Sequence, residues 1–129
     1  MPFSLGLRSK ARLVGVHPDL VAVVERAIKL TSVDFTVVEG LRSVDRQREL
    51  VKVGASKTMH SRHIHGYAVD LAPYIGGKVR WDWPPFHDIA AAMKAASKEL
   101  DIPIEWGGDW KTFKDGPHFQ LPHKQYPDP

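Results

Sequence analysis

The spacing of apolar residues changes period along this chain, and that change restricts the fold more than any other feature of the sequence. Leu20, Val23, Val24, Ala27 and Ile28 recur at i, i+3, i+4, i+7 and i+8 behind Pro18, which predicts an amphipathic helix over residues 18–30. Phe35-Thr-Val-Val38 is a short β-branched run, and Gly40-Leu-Arg-Ser43 leads from it into a second helix that Ser43 caps and Gly54 closes. Pro84-Pro85 then precede Phe86, Ile89, Ala90, Met93 and Leu100, predicting a third helix of three to four turns whose Ala-rich face suits packing on a sheet. Between helices two and three the period drops to 2. Tyr67-Ala-Val-Asp-Leu-Ala72 and Lys78-Val-Arg-Trp81 flank Gly76-Gly77, the signal of a two-residue β-hairpin. Ile104-Glu-Trp106 and His118-Phe-Gln-Leu121 read as two further strands, and the Pro-rich stretch 122–129 as irregular. Helices followed by strands with an inserted helix argue for an α+β fold: a small, mostly antiparallel sheet with about three helices packed against it.

Composition narrows the chemistry. With 129 residues the chain suits one domain, 1–129, and no Ser/Gly linker tethers a second module. It contains no Cys, which excludes a disulfide framework, a thiol nucleophile and a Cys-ligated metal, so any metal site must be built from His and carboxylates. The net charge of +3 suits an anionic polymer, but no nucleic-acid-binding motif accompanies it. The N-terminus lacks the order of a secretory signal and no window is apolar enough to span a membrane, so the expectation is synthesis in a cytoplasm without membrane insertion.

Seven histidines are present, and their placement carries the argument. In Ser61-Arg-His63-Ile-His65-Gly-Tyr-Ala-Val-Asp70, alternation from Tyr67 puts Ala68 and Asp70 on one strand face. A carboxylate on a half-apolar strand calls for a metal or a cation beside it. With Gly66 turning the backbone, His63 and Asp70 can converge on one ion, and His118 can supply a third ligand. Two imidazoles, one carboxylate and an open position for water match catalytic rather than structural zinc. Asp115, set before Gly116-Pro117, is placed to act as general base in a hydrolysis, and Arg42 to hold a substrate carboxylate or an oxyanion.

Each of these residues has a plainer reading. His65 competes with His63, because His-x-His on a regular strand puts both rings on one side. Asp70 can instead pair with Arg62 or Arg42, Asp115 can be a turn residue, and Arg42 a solvated charge. Trp106 and Trp110 are candidates for a cleft wall, whereas Trp81 and Trp83 pack at the hairpin end. His17, His60, His87 and His123 have no partner motif and default to the surface.

Ser61-x-His63-x-x-Gly66-x-Ala68-x-Asp70, Glu105-Trp-Gly-Gly-Asp-Trp110 and Asp115-Gly-Pro-His118-Phe, taken together, resemble the zinc peptidase family of D-Ala-D-Ala dipeptidases, VanY-like D,D-carboxypeptidases and phage L-alanyl-D-glutamate endolysins. The match spans most of residues 36–121. The resemblance implies Zn2+ on His63, Asp70 and His118 in a cleft on the sheet, Asp115 as base and Arg42 as oxyanion or substrate contact. Ser61, Trp106 and Trp110 are further candidates for substrate binding. An aspartate at the base position resembles the endolysin branch, where the dipeptidase branch has glutamate. The expected activity is therefore cleavage of the L-alanyl-D-glutamate bond of peptidoglycan by a monomeric phage endolysin acting in the host wall. A D,D-carboxypeptidase and a non-catalytic zinc-stabilised wall-binding module are the rivals.

Overall fold

The computed structural model describes residues 2–129, which form four α-helices and a five-stranded sheet. The helix predicted at 18–30 is α2 (Pro18–Leu30), with Pro18 in its first turn and the ring Nδ1 of His17 accepting from the Asp19 backbone N–H at 3.0 Å. Before it lies α1 (Leu7–Arg12), a helix the sequence did not announce. It has no apolar stripe to announce it: Leu7 is exposed and only Ser9 is buried. What holds α1 is polar, since Ser9 Oγ accepts from the Val37 backbone N–H at 2.9 Å and lies 3.0 Å from the Thr36 hydroxyl.

Strand β1 (Phe35–Glu39) leads to α3 (Val44–Lys52), where Ser43 Oγ accepts from the Arg46 N–H. A 3-10 turn at Arg62–His65 then enters β2 (Ala68–Ile75), which turns through Gly76-Gly77 into β3 (Lys78–Val79). Both turn glycines have positive φ, 63° and 79°, as a tight hairpin of two central residues requires. Helix α4 (Trp83–Leu100) follows, longer than the three to four turns expected, and then β4 (Glu105–Trp106) and β5 (His118–Gln120). The strand order is β1-β2-β5-β4 with β3 on the far end of β2, and every pair is antiparallel.

Alternation on β2 sorts the sheet into two faces. Val69 and Leu71 join Val37, Phe119 and Leu121 beneath α2 and α4, which contribute Leu20, Val23, Val24, Ile28, Phe86, Ile89 and Met93. Burying each such side chain contributes about 1.5–3 kcal/mol. Helix α4 packs on α2 as well as on β2. The opposite face carries Asp70, His118 and Gln120.

Stretch 122–129 is irregular yet anchored. Arg62, 3% exposed, donates to Asp128 Oδ1 at 2.8 Å and to the carbonyls of Leu121 and Tyr126 at 2.7 Å, and Tyr126 Oη donates to Asp19 Oδ2 at 2.7 Å. Arg62 is thereby committed to the C-terminal stretch and is not the partner of Asp70.

Candidate metal centre

Strand register builds the site. Asp70 pairs directly with His118 across β2 and β5, and a bulge between Val37 and Glu39 sets Glu39 opposite Asp70 on the other side. His63 arrives from the 3-10 turn, whose N-terminus Ser61 caps by accepting from the His63 N–H. Gly66 ends the turn at φ 74°, and a Cβ there would also collide with the Gly15 carbonyl, so glycine is required twice over. The turn is sewn to the start of α3 by the Arg42 N–H, which donates to the His63 carbonyl at 3.0 Å.

His63, Asp70 and His118 each offer one ligand atom, all within 4.8 Å of one another. His63 Nε2 lies 3.3 Å and His118 Nδ1 3.4 Å from the same oxygen, Asp70 Oδ1. Hydrogen-bond direction decides what that means. His63 Nδ1 meets the Gly40 carbonyl at 2.9 Å, an oxygen that can only accept, so the proton sits on Nδ1 and Nε2 keeps its lone pair. His118 Nε2 meets Gln120 Oε1 at 2.8 Å, which leaves Nδ1 with a lone pair by the same reasoning. Asp70 Oδ1 is buried and accepts no hydrogen bond of sound geometry. With both rings neutral, three acceptors thus face one another, an arrangement that a cation satisfies and that would otherwise be costly. The donor set, two imidazoles and one carboxylate with each imidazole held by a further hydrogen bond, fits a divalent metal of the zinc type.

The electrostatics agree. Burial pushes the Asp70 carboxyl up, and the two imidazoles, His118 foremost, more than offset this and hold it well below the usual carboxylate range. Burial pushes the His118 ring down, and Asp70 outweighs it and raises the ring above its ordinary value. Both shifts stabilise positive charge at this point, carried by a metal or, without one, by a second proton on His118.

These residues line one cleft of 530 Å³ together with Glu39, Arg42, Ser61, Trp110, Asp115 and Gln120. Asp115 keeps solvent exposure, yet its carboxyl is raised, by desolvation against the cleft wall and then by the Asp70 charge. Arg42 is not a solvated charge. It grips Glu39, reaches Gln47 Oε1 at 2.8 Å, and leaves one Nη2 edge 3.9 Å from Asp70 Oδ2. Gln47 is fully buried and donates to Ser56 Oγ and the Thr58 carbonyl, a role hidden among the charged residues of α3. Gln120 was equally unforeseen, although its i+2 spacing from His118 on a strand could have revealed it.

Not every candidate reaches the cleft. His65 is exposed and lies against Tyr67, away from the three ligand atoms. Trp106, expected on the cleft wall, belongs to the core instead: it is 5% exposed, stacks on Phe119, and donates its indole N–H to the Gly116 carbonyl at 2.7 Å. Trp110 does line the cleft, with its ring centroid 5.2 Å from that of His118. Trp81 and Trp83 are exposed near the hairpin and touch Phe86. A second hollow of 440 Å³ between the N-terminal segment and α2 contains no such cluster.

A sheet whose solvent-facing side gathers a His-Asp-His metal set, with a free carboxylate and a clamped guanidinium in the same cleft, defines a metallopeptidase. The family model of phage L-alanyl-D-glutamate peptidases matches residues 1–121. The L-alanyl-D-glutamate peptidase of Escherichia phage T5 is 39% identical over 119 residues, covering 89% of this chain and 87% of that one. The crystal structure of the Serratia marcescens L-Ala D-Glu endopeptidase ChiX superposes with a TM-score of 0.91 at 51% identity, covering 95% of this chain and 92% of that chain. The vancomycin-resistance D,D-dipeptidase VanXYg shares the fold at 18% identity, with a TM-score of 0.55 over 85% of this chain and 53% of that chain. The chain belongs to the phage L-alanyl-D-glutamate peptidase family.

Proposed function

We propose that this chain is a zinc-dependent peptidoglycan endopeptidase that cleaves the L-alanyl-D-glutamate bond of the stem peptide and serves a phage as endolysin. Membership of the family supports the reaction, and the orphaned Asp70 Oδ1 between two imidazole lone pairs is the observation that carries the metal. His63 through Nε2, His118 through Nδ1 and Asp70 would hold the ion. Zinc bound there supplies Lewis acidity, polarising a carbonyl and making water a nucleophile near neutral pH.

The protein's own groups do the rest. Asp115 takes the proton from the attacking water and passes it to the leaving amine of D-glutamate, a task for which a carboxyl raised above its ordinary value is better matched to neutral pH. Arg42, with most of its donors engaged by Glu39 and Gln47, presents its remaining Nη2 edge to the scissile carbonyl as negative charge develops on its oxygen. Ser61 and Trp110 line the walls that receive the peptide. The enzyme acts as a monomer, is made in the host cytoplasm and reaches the wall at lysis.

Mass spectrometry of purified muropeptides after digestion tests this reading. New D-glutamate amino termini with terminal D-Ala-D-Ala intact are expected. Release of free D-Ala as the main product would make the enzyme a D,D-carboxypeptidase, and binding without any cleavage would leave only a wall-binding module.

A further inference from the structure

The tautomer of His118 is decided one strand away. Glu105 on β4 stands directly across from Gln120 on β5, and its Oε2 accepts from Gln120 Nε2 at 3.3 Å. A carboxylate oxygen only accepts, so the amide nitrogen must lie on the Glu105 side and the amide oxygen on the His118 side. That oxygen, 2.8 Å from His118 Nε2, only accepts in turn. In the neutral ring Nε2 therefore carries the proton, and Nδ1 keeps the lone pair that faces Asp70 Oδ1 at 3.4 Å. His63 needs no such device, because its Nδ1 is bonded to a backbone carbonyl whose direction cannot reverse.

We propose that Glu105, acting through Gln120, is a positioning residue for the metal site: it fixes the amide of Gln120 and so the His118 tautomer that can ligate. The inference rests on His63, Asp70 and His118 being the ligands. Without the carboxylate the buried Gln120 amide is free to reverse and offer its NH2 to His118 Nε2. The ring then carries its proton on Nδ1 and donates it to Asp70 Oδ1, which satisfies the orphaned oxygen without a metal and closes the site to one. Outer partners of metal-bound histidines are typically worth 10–100-fold in metal affinity.

Two readouts test this. Nitrogen-15 NMR of the histidine rings in metal-free protein reports the tautomer, and competition with a chromophoric chelator reports zinc affinity. At a pH where the ring is neutral, wild-type protein should show His118 protonated on Nε2. Glu105→Leu should shift the population toward Nδ1–H and weaken zinc about 10-fold or more, and Gln120→Leu, which removes the acceptor itself, should do the same. The decisive arm is rescue. Gln120→Glu in the Glu105→Leu background places an acceptor-only group beside His118 and should restore both the tautomer and most of the affinity. Unchanged tautomer and zinc affinity in Glu105→Leu would overturn the proposal, as would a loss that Gln120→Glu fails to rescue. If His63→Ala binds zinc as tightly as wild type, the ligand assignment itself is wrong, an outcome separate from any result at Glu105.

Discussion

Glu39 and Arg42 meet in two parallel hydrogen bonds, Nε to Oε1 at 2.7 Å and Nη2 to Oε2 at 2.6 Å, one strand away from Asp70. A bidentate carboxylate fixes the plane of a guanidinium as well as its position. Burial would lower the Arg42 pKa, and the Glu39 bonds and charge outweigh it and raise it, so the side chain stays a cation within the cleft. Glu39→Gln keeps the size of the anchor and loses one accepting oxygen. Turnover on a soluble stem peptide should fall about 10-fold while zinc content is unchanged, since small misplacements of a substrate-contacting group cost up to about 10²-fold. Arg42→Ala should lower turnover further, again without loss of zinc. Steady-state kinetics beside metal analysis checks both, and a loss of zinc in either variant would mean that the clamp serves the metal loop rather than the substrate.

Asp115 lines the cleft but lies outside the set of three ligand atoms. Asp115→Asn should therefore retain zinc and lose about 10²–10⁴-fold in turnover, the usual contribution of a general base. Metal stoichiometry and single-turnover rates measured on one preparation decide the point. Near-normal turnover would return Asp115 to the role of a turn residue ahead of Gly116-Pro117.

Tyr126, which does not line the cleft, gives a prediction about stability. Its hydroxyl donates to Asp19 Oδ2 at 2.7 Å, and that bond, then burial, pushes the phenol up to about 12. The folded state thus holds the phenolic proton more tightly than an unfolded chain, in which tyrosine titrates near 10. The contribution is fully present below about pH 10 and is lost as pH rises towards 12. Thermal melts between those limits should show wild type losing its advantage over Tyr126→Phe. A constant difference across the range would contradict the assignment.

Most of the scaffold was legible because its signals are local. Pro18 and Ser43 mark helix starts, Gly76-Gly77 marks a hairpin, and the alternation through Val69 and Leu71 marks a strand with one buried face. The family motifs, spaced along the chain, drew attention to the three residues that the fold brings together. What stayed hidden depends on partners distant in sequence. Helix α1 is held by Ser9 on β1, Trp106 is drawn inward by Phe119 and the Gly116 carbonyl, and the amide of Gln120 takes its direction from Glu105 on the neighbouring strand. Gln47 could not be told from its solvated neighbours on α3, because its burial comes from the 56–58 loop folding over it.

On the proposed reading, His63, Asp70 and His118 hold the one zinc on which cleavage of the L-alanyl-D-glutamate bond depends. The most direct test of this claim is to strip the protein with a chelator, titrate zinc back, and follow the appearance of D-glutamate amino termini from a soluble stem peptide. Cleavage should be absent in the stripped protein, rise in proportion to bound zinc and level off at one ion per chain, with His63→Ala recovering nothing at the same zinc concentrations. Full cleavage by stripped protein, or recovery in His63→Ala equal to wild type, would contradict the claim.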